Sequence, residues 1–94
     1  MSVTTEGEWI MLTKETIVKN VAGLTAKPAT EFVLKANTFQ CSIWVEYGER
    51  RINAKSLLGV LSLKITKNMA ISIVTDGPGE ADALKALCAM LETE

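Results

Sequence analysis

The feature of this 94-residue sequence that most constrains its fold is the repeated change of hydrophobic spacing over short segments. After Pro28 the apolar residues recur at the spacing of one helix face, and they are Ala29, Phe32, Val33 and Ala36. Residues 39–47 instead alternate between apolar and polar side chains, which predicts a half-buried strand. The inward side chains of that strand are expected to be Phe39, Cys41, Ile43 and Val45.

The other segments also switch between helical spacing and the alternation of a strand. A first strand is expected around Thr16 and Val18, ending near Gly23, and the first helix is expected to stop at Asn37. The later elements are a strand at 50–54, an apolar helix at 56–63, a strand at 69–75 and a helix at 80–92. The inward side of the last helix is predicted to carry Leu84, Leu87, Cys88 and Leu91. The order βαββαβα leaves no room for long parallel crossovers, so it predicts an α+β fold with a mostly antiparallel sheet and helices on one face.

Composition fits one domain with an ordinary water-exposed surface. Hydrophobic residues make up 48% of the chain, charged residues make up 22%, and the net charge is −1. Without a basic excess, the chain is not expected to bind nucleic acid directly. Apolar runs such as 57–61 are too short to span a bilayer, and Glu6 and Glu8 make the start unlike a signal peptide. We therefore expect a flexible N-terminal extension at 1–11 and one folded domain at 12–94.

The sequence contains two cysteines and no histidine. Cys41 and Cys88 lie in apolar surroundings, which favours two buried free thiols in a reducing cytoplasm, with a disulfide between them as the alternative. Because no histidine is present, neither cysteine–histidine catalysis nor a metal site follows from these residues, and no cofactor is expected.

Three short motifs resemble those of one known family. They are GLTAKPA at 23–29, NAKSLLGVLSL at 53–63 and DGPGEADALKAL at 76–87. In this register they resemble the active-site loop, the regulatory-serine loop and the last loop and helix of HPr phosphocarriers, over residues 13–92. The resemblance implies an open-faced β-sandwich with four antiparallel strands and three helices on one face. It also implies a Crh-like member, because Crh proteins lack the phosphate-carrying histidine.

The resemblance places Thr25 where the family carries phosphate on histidine, and Lys27 where the family has arginine. Imidazole is a good leaving group, whereas a threonine alkoxide is a poor one, and no histidine base is available to activate Thr25. Thr25 is therefore expected to serve as a helix N-cap that bonds the N–H of Lys27, because Pro28 has no N–H. Lys27 is either a remnant of an anion site at the helix N-terminus or a solvated surface lysine.

The resemblance also implies that Ser56 is a regulatory phosphorylation site. Phosphate there would lie at a helix N-terminus, which favours negative charge, although an unmodified serine in this place is also a good N-cap. The aliphatic residues that follow resemble a docking patch, for which the predicted partner-binding residues are Leu57, Leu58 and Leu61. A short helix cannot bury every one of its apolar residues, so at least one is expected to face the sheet and the others the solvent.

The sequence leaves three candidate functions. The leading hypothesis, implied by the resemblance, is a non-catalytic regulator of carbon catabolite control that lacks the histidine relay. Its partners would be an HPr kinase/phosphorylase and a LacI-type regulator, for which phospho-Ser56 would be a corepressor. The alternative is an interaction module that binds a metabolic enzyme, or competes for HPr partners, without phosphorylation. A small acylphosphatase-like enzyme is disfavoured because Arg50 and Arg51 fall in a turn-to-strand segment, not a glycine-rich anion loop. The oligomeric state is left open.

Overall fold

Four strands form one antiparallel sheet in the computed structural model, which describes residues 11–93. The strands, in the order β1-β4-β2-β3 across the sheet, are β1 (Leu12–Ile17), β4 (Ala70–Asp76), β2 (Ser42–Tyr47) and β3 (Arg50–Asn53). The helices are α1 (Ala26–Ala36), α2 (Leu57–Ser62) and α3 (Glu80–Glu92). The predicted α+β class, element order and antiparallel pairing are confirmed. Among the described residues, no helix is long and apolar enough to cross a membrane.

The position of the first strand differs from the prediction. The strand was expected around Thr16 and Val18 with an end near Gly23, but it ends at Ile17. Val18 is buried, and its N–H donates to Met69 O in the connection that precedes β4. The alternation in β1 is weak because only Thr16 among its six residues is buried. The predicted extension, residues 1–11, lies outside the described residues except for Met11.

One hydrophobic core fills the space between the sheet and the three helices. Alternate residues of the two central strands point into it, which follows from the period-two geometry of a strand. These residues, together with the largest buried helix side chains, are Ile43, Val45, Ile71, Ile73, Phe32, Val60, Leu87 and Leu91. Burying each such side chain contributes roughly 1.5–3 kcal/mol. The inward residues predicted for α3 lie as expected, with Leu84 half-buried against the core.

The outer face of the sheet carries an aromatic and charged cluster. Trp44 is half-buried there, and the Arg51 guanidinium lies 4.9 Å from the centre of its ring. Glu46 accepts a hydrogen bond from Arg51 at 2.7 Å, which fixes the guanidinium over the ring. Val74 pairs with Trp44 across the central strands and is only 1% exposed. The cluster therefore contributes apolar burial on the face opposite the helices.

Gly23 allows two backbone segments to approach closely. Its φ is +65°, and a Cβ placed on it would lie 2.4 Å from Ile65 O and 2.7 Å from the Thr66 Cα. The next residue, Leu24, donates its N–H to the same Ile65 carbonyl at 3.0 Å. A side chain at position 23 would therefore meet backbone atoms that cannot move aside, and this contact fixes the chain just before Thr25.

Gly23→Ala is expected to lower the free energy of unfolding by roughly 3 kcal/mol, combining left-handed backbone strain with overpacking. Gly48→Ala is the matched control, because Gly48 has a φ of +61° and a Cβ there would meet no atom of the described residues within 4 Å. The control should lose only about 1 kcal/mol. Urea denaturation measures both, and equal losses would contradict the proposed backbone contact.

Both cysteines are free and buried, as predicted. Burial raises the pKa of the Cys41 thiol above its ordinary value of 9.0, and the Lys55 ammonium acts in the opposite direction. Burial likewise raises the pKa of the Cys88 thiol, against the effect of Lys14. The fold therefore favours the protonated form of each thiol.

This preference predicts a loss of stability at alkaline pH. In the unfolded chain the thiols ionise near 9.0, whereas the folded chain keeps them protonated to higher pH. The stabilisation is complete below the unfolded pKa and is lost as the pH rises through the folded pKa. The difference in unfolding free energy between the wild type and a Cys41→Ala, Cys88→Ala variant should change above that pH, with the wild type losing more. Parallel pH profiles for the two proteins would show that the thiols have no such role.

Candidate functional site

Thr25 is the N-cap residue of α1, but it does not cap the helix with its side chain. Its backbone is extended, with φ −125° and ψ 153°. The predicted bond to the N–H of Lys27 is wrong: the hydroxyl donates to Ala22 O at 2.7 Å, and no capping bond from Thr25 is found within residues 11–93. Pro28 removes one of the two N–H groups that a capping oxygen normally reaches, and the preceding turn offers the hydroxyl a nearby acceptor instead.

Lys27 lies in the first turn of α1 and is exposed. Within the described residues, this first turn contains no acidic side chain. The helix N-terminus and the Lys27 ammonium therefore both present positive charge beside Thr25. This arrangement can attract an anion from solution, but a single exposed ammonium cannot form the planar two-point contact of an arginine.

Ser56 is the N-cap residue of α2 and, unlike Thr25, it makes the capping bond. Its Oγ accepts a hydrogen bond from the N–H of Gly59 at 3.2 Å, and its backbone is extended at φ −108° and ψ 116°. Its carbonyl accepts from Val60 N at 3.0 Å. The predicted N-cap is thus confirmed, and the Ser56 hydroxyl has a defined, half-buried position at the head of the helix.

The other end of α2 is closed by a residue from β3. Arg50 donates two hydrogen bonds to Ser62, at 3.0 Å to its carbonyl and 3.1 Å to its hydroxyl. The Ser62 hydroxyl in turn donates to Gly59 O at 2.6 Å. A guanidinium at a helix C-terminus is favourable because unpaired carbonyls there carry partial negative charge. Arg50 was expected in a turn-to-strand segment, and no pattern in the sequence indicates this contact.

The aliphatic residues of α2 divide between core and solvent, as predicted. Val60 is fully buried, and Leu61 is half-buried against the core. Leu58 is 82% exposed and Leu57 is 37% exposed, so these two side chains face outward beside Ser56. We call this pair the aliphatic pair. Exposed leucines next to a polar hydroxyl form a surface that a partner protein can bury.

Val21 and Leu34 are strongly exposed aliphatic residues that were not identified from the sequence. Val21, in the loop before Thr25, is 78% exposed, and Leu34, in α1, is 63% exposed. The helical spacing that assigned the inward face of α1 leaves Leu34 on the outward face, which is the signal that could have identified it. α1 packs against α2, but within residues 11–93 no hydrogen bond or ion pair joins Thr25 to Ser56.

The four-stranded antiparallel sheet with three helices is the fold of small phosphocarrier proteins. HPr from Bacillus anthracis has a similar structure, with a TM-score of 0.85 and 40% sequence identity, covering 86% of this chain and 96% of that one. The chain belongs to the PTS-HPr family, described as "PTS HPr component phosphorylation site", which it matches over residues 12–93.

Crh proteins are among its similar relatives. The HPr-like protein Crh of Halalkalibacterium halodurans is 40% identical over 84 residues, which is 89% of this chain and 100% of that protein. The structure of Crh from Bacillus subtilis, solved as a dimer with a swapping domain, has a TM-score of 0.70 and 33% identity, covering 82% of this chain and 91% of that one. Family membership is thus established for nearly the entire described chain.

Replacing each of the two N-cap residues with alanine is expected to lower the free energy of unfolding by a different amount. Ser56→Ala removes a capping bond and should lower the free energy of unfolding by about 1 kcal/mol. Thr25→Ala removes only an exposed bond to Ala22 O, so its loss should be about half as large or less. Urea denaturation of both variants measures the comparison. A larger loss for Thr25→Ala would mean that its hydroxyl caps α1 in solution.

Proposed function

We propose that this chain is a regulatory HPr-family protein that acts through phosphorylation of Ser56 and cannot relay phosphate through histidine. The observation that carries the proposal is the absence of histidine from a member of a phosphocarrier family. Without an imidazole, no phosphohistidine can form in any part of this sequence. What the family fold then offers a partner is its surface, which includes Ser56 and the aliphatic pair.

Thr25 is assigned to the position of the family's phosphohistidine, where it cannot take over the relay. A phosphothreonine would not pass its phosphate on readily, because the alkoxide is a poor leaving group. The Thr25 hydroxyl also lacks a neighbouring imidazole base and is engaged as a donor to Ala22 O. Lys27 is left as an exposed charge at the helix start, a remnant of an anion site that would contribute weak, salt-sensitive attraction.

Ser56 is assigned as the phosphate acceptor. In the proposed reaction its Oγ attacks the γ-phosphorus of ATP, an O–P bond forms, the bond to the ADP oxygen breaks, and the hydroxyl proton passes to a base of the kinase. The half-buried but defined position of the hydroxyl supports this assignment, because the acceptor needs little ordering before reaction. The kinase would be an HPr kinase/phosphorylase.

The aliphatic pair and half-buried Leu61 are assigned as the docking surface for the phosphorylated form. The phosphate oxygens would lie beside Leu57 and Leu58, so a partner that supplies arginine and an apolar pocket would bind both features together. A LacI-type regulator of carbon catabolite control is the proposed partner, with the phosphorylated chain as its corepressor. The two free thiols fit a reducing cytoplasm, which is where such a partner acts.

The capping bond of the Ser56 hydroxyl favours a second candidate function. Because the Ser56 hydroxyl already stabilises α2, its presence needs no phosphorylation to explain it. The chain would then be an interaction module that binds a metabolic enzyme or competes for HPr partners through the aliphatic pair. In that case the wild type and Ser56→Ala would bind the same partner equally well.

Labelling with two phosphate donors tests the proposed function. Incubation with HPr kinase/phosphorylase and ATP should add a single phosphate, which mass spectrometry should locate on Ser56 and which Ser56→Ala should lack. Incubation with phosphoenolpyruvate and enzyme I should add none, because the chain has no histidine. Transfer of phosphate from phosphoenolpyruvate through this chain, or no label from ATP, would reject the proposal.

A further inference from the structure

The three residues that precede Ser56 are held to the rest of the molecule along their whole length. We call residues 53–55 the serine approach. The Asn53 Oδ1 accepts from the N–H of Lys55 at 2.8 Å, which stabilises a tight local turn. Ala54 is fully buried, and its N–H donates to Ile43 O in β2 at 2.9 Å. The Lys55 carbonyl accepts from the Asn37 side chain at 3.3 Å. The approach to Ser56 is therefore part of the fixed structure.

The Lys55 side chain takes part in the same anchoring. Its ammonium donates to the carbonyl of Phe39 at 2.7 Å, in the connection between α1 and β2. Lys55 is half-buried, and its charge lies close enough to Cys41 in the same connection to oppose the effect of burial on the pKa of that thiol. A lysine next to a serine that accepts phosphate would ordinarily be expected to contact a partner protein through its charge. Here the ammonium is bound within the protein.

The Ser56 hydroxyl and the Lys55 ammonium form hydrogen bonds with different parts of the molecule. Ser56 has an extended backbone, whereas Lys55 lies in the turn that precedes it. The hydroxyl caps α2 through Gly59, whereas the ammonium holds the connection that follows α1. Asn37, at the C-terminus of α1, reinforces that attachment and also bonds Val33 O at 2.9 Å. The position of Ser56 thus depends on contacts made by the residue before it.

Resting on the function proposed above, we propose that Lys55 is a positioning residue for phosphorylation of Ser56. Its ammonium holds the serine approach in place by donating to the Phe39 carbonyl. The kinase does not recognise the charge of Lys55 directly. A substrate segment that is already ordered avoids the entropic cost of ordering when the kinase binds it. Loss of the anchor should therefore weaken the binding of the protein substrate and leave the chemical step almost unchanged.

The test compares three variants as protein substrates of HPr kinase/phosphorylase with ATP. Lys55→Met has a similar length but no donor, so it should raise KM roughly tenfold and leave kcat within about twofold. Lys55→Arg keeps a donor that can reach Phe39 O and should restore KM to within about threefold of the wild type. Asn37→Ala removes the second anchor without changing any charge, and it should raise KM in the same direction as Lys55→Met.

Amide hydrogen exchange of the free proteins gives an independent measurement. The Gly59 N–H, which Ser56 caps, should exchange faster in Lys55→Met and in Asn37→Ala than in the wild type. A rise in KM for Lys55→Met alone, with Asn37→Ala and the Gly59 exchange unchanged, would mean that the kinase recognises the charge and would overturn the positioning role. Unchanged KM and exchange in both variants would overturn it as well.

Failure of the proposed function and failure of the positioning role give different results. If the wild type takes no phosphate on Ser56, the function proposed for this chain is rejected, and with it the role of Lys55 in phosphorylation. The Gly59 exchange then reports on the structural anchor alone. If the wild type is phosphorylated normally and Lys55→Met is an equally good substrate, only the positioning role is rejected.

Discussion

The structure depends on β4, a strand whose two edges and inner face are all occupied. It pairs with β1 along one edge and with β2 along the other. Ile71, Ile73 and Thr75 point from it towards the helices and are almost completely buried. α3 follows β4 after a short turn and packs against β1 and β4, while α1 packs against α2 and α3. α1 is thus connected to β4 through α3, and the start of α2 is connected to it through β2, which accepts from Ala54 N and pairs with β4.

Most of the fold could be predicted because its strongest patterns are local. The alternation at 39–47 and the helical spacing at 80–92 each identify an element and its inward face without reference to any other segment, although the strand itself begins at Ser42. β1 was displaced in the prediction because its position is set by pairing with β4, while its own sequence buries only Thr16. Val74 was likewise not foreseen as buried, because its burial on the outer face arises beside Trp44 of the neighbouring strand.

The candidate site shows the same difference between features set by local sequence and features set by distant contacts. The Ser56 cap and the exposure of Leu58 follow from positions within one short helix, so sequence reasoning could predict both. The contacts of Arg50 with Ser62 and of Lys55 with Phe39 join residues 12 and 16 positions apart, and only the packed structure brings them together. The direction of the Thr25 hydroxyl was missed for a different reason: its acceptor, Ala22 O, is only three residues away, but it lies in a turn whose shape the hydrophobic pattern does not predict.

The closure of α2 at both ends has a consequence for how such a protein can diversify. Ser56 and Arg50 stabilise the helix termini, and Val60 anchors its inner side, so Leu58, which is 82% exposed, contributes little to holding the fold. Substitutions at Leu58 can accumulate at small cost in stability, while each one changes the apolar shape offered to other proteins. Gene duplication followed by drift at this codon would thus be a short evolutionary route to a paralogue with a different binding repertoire.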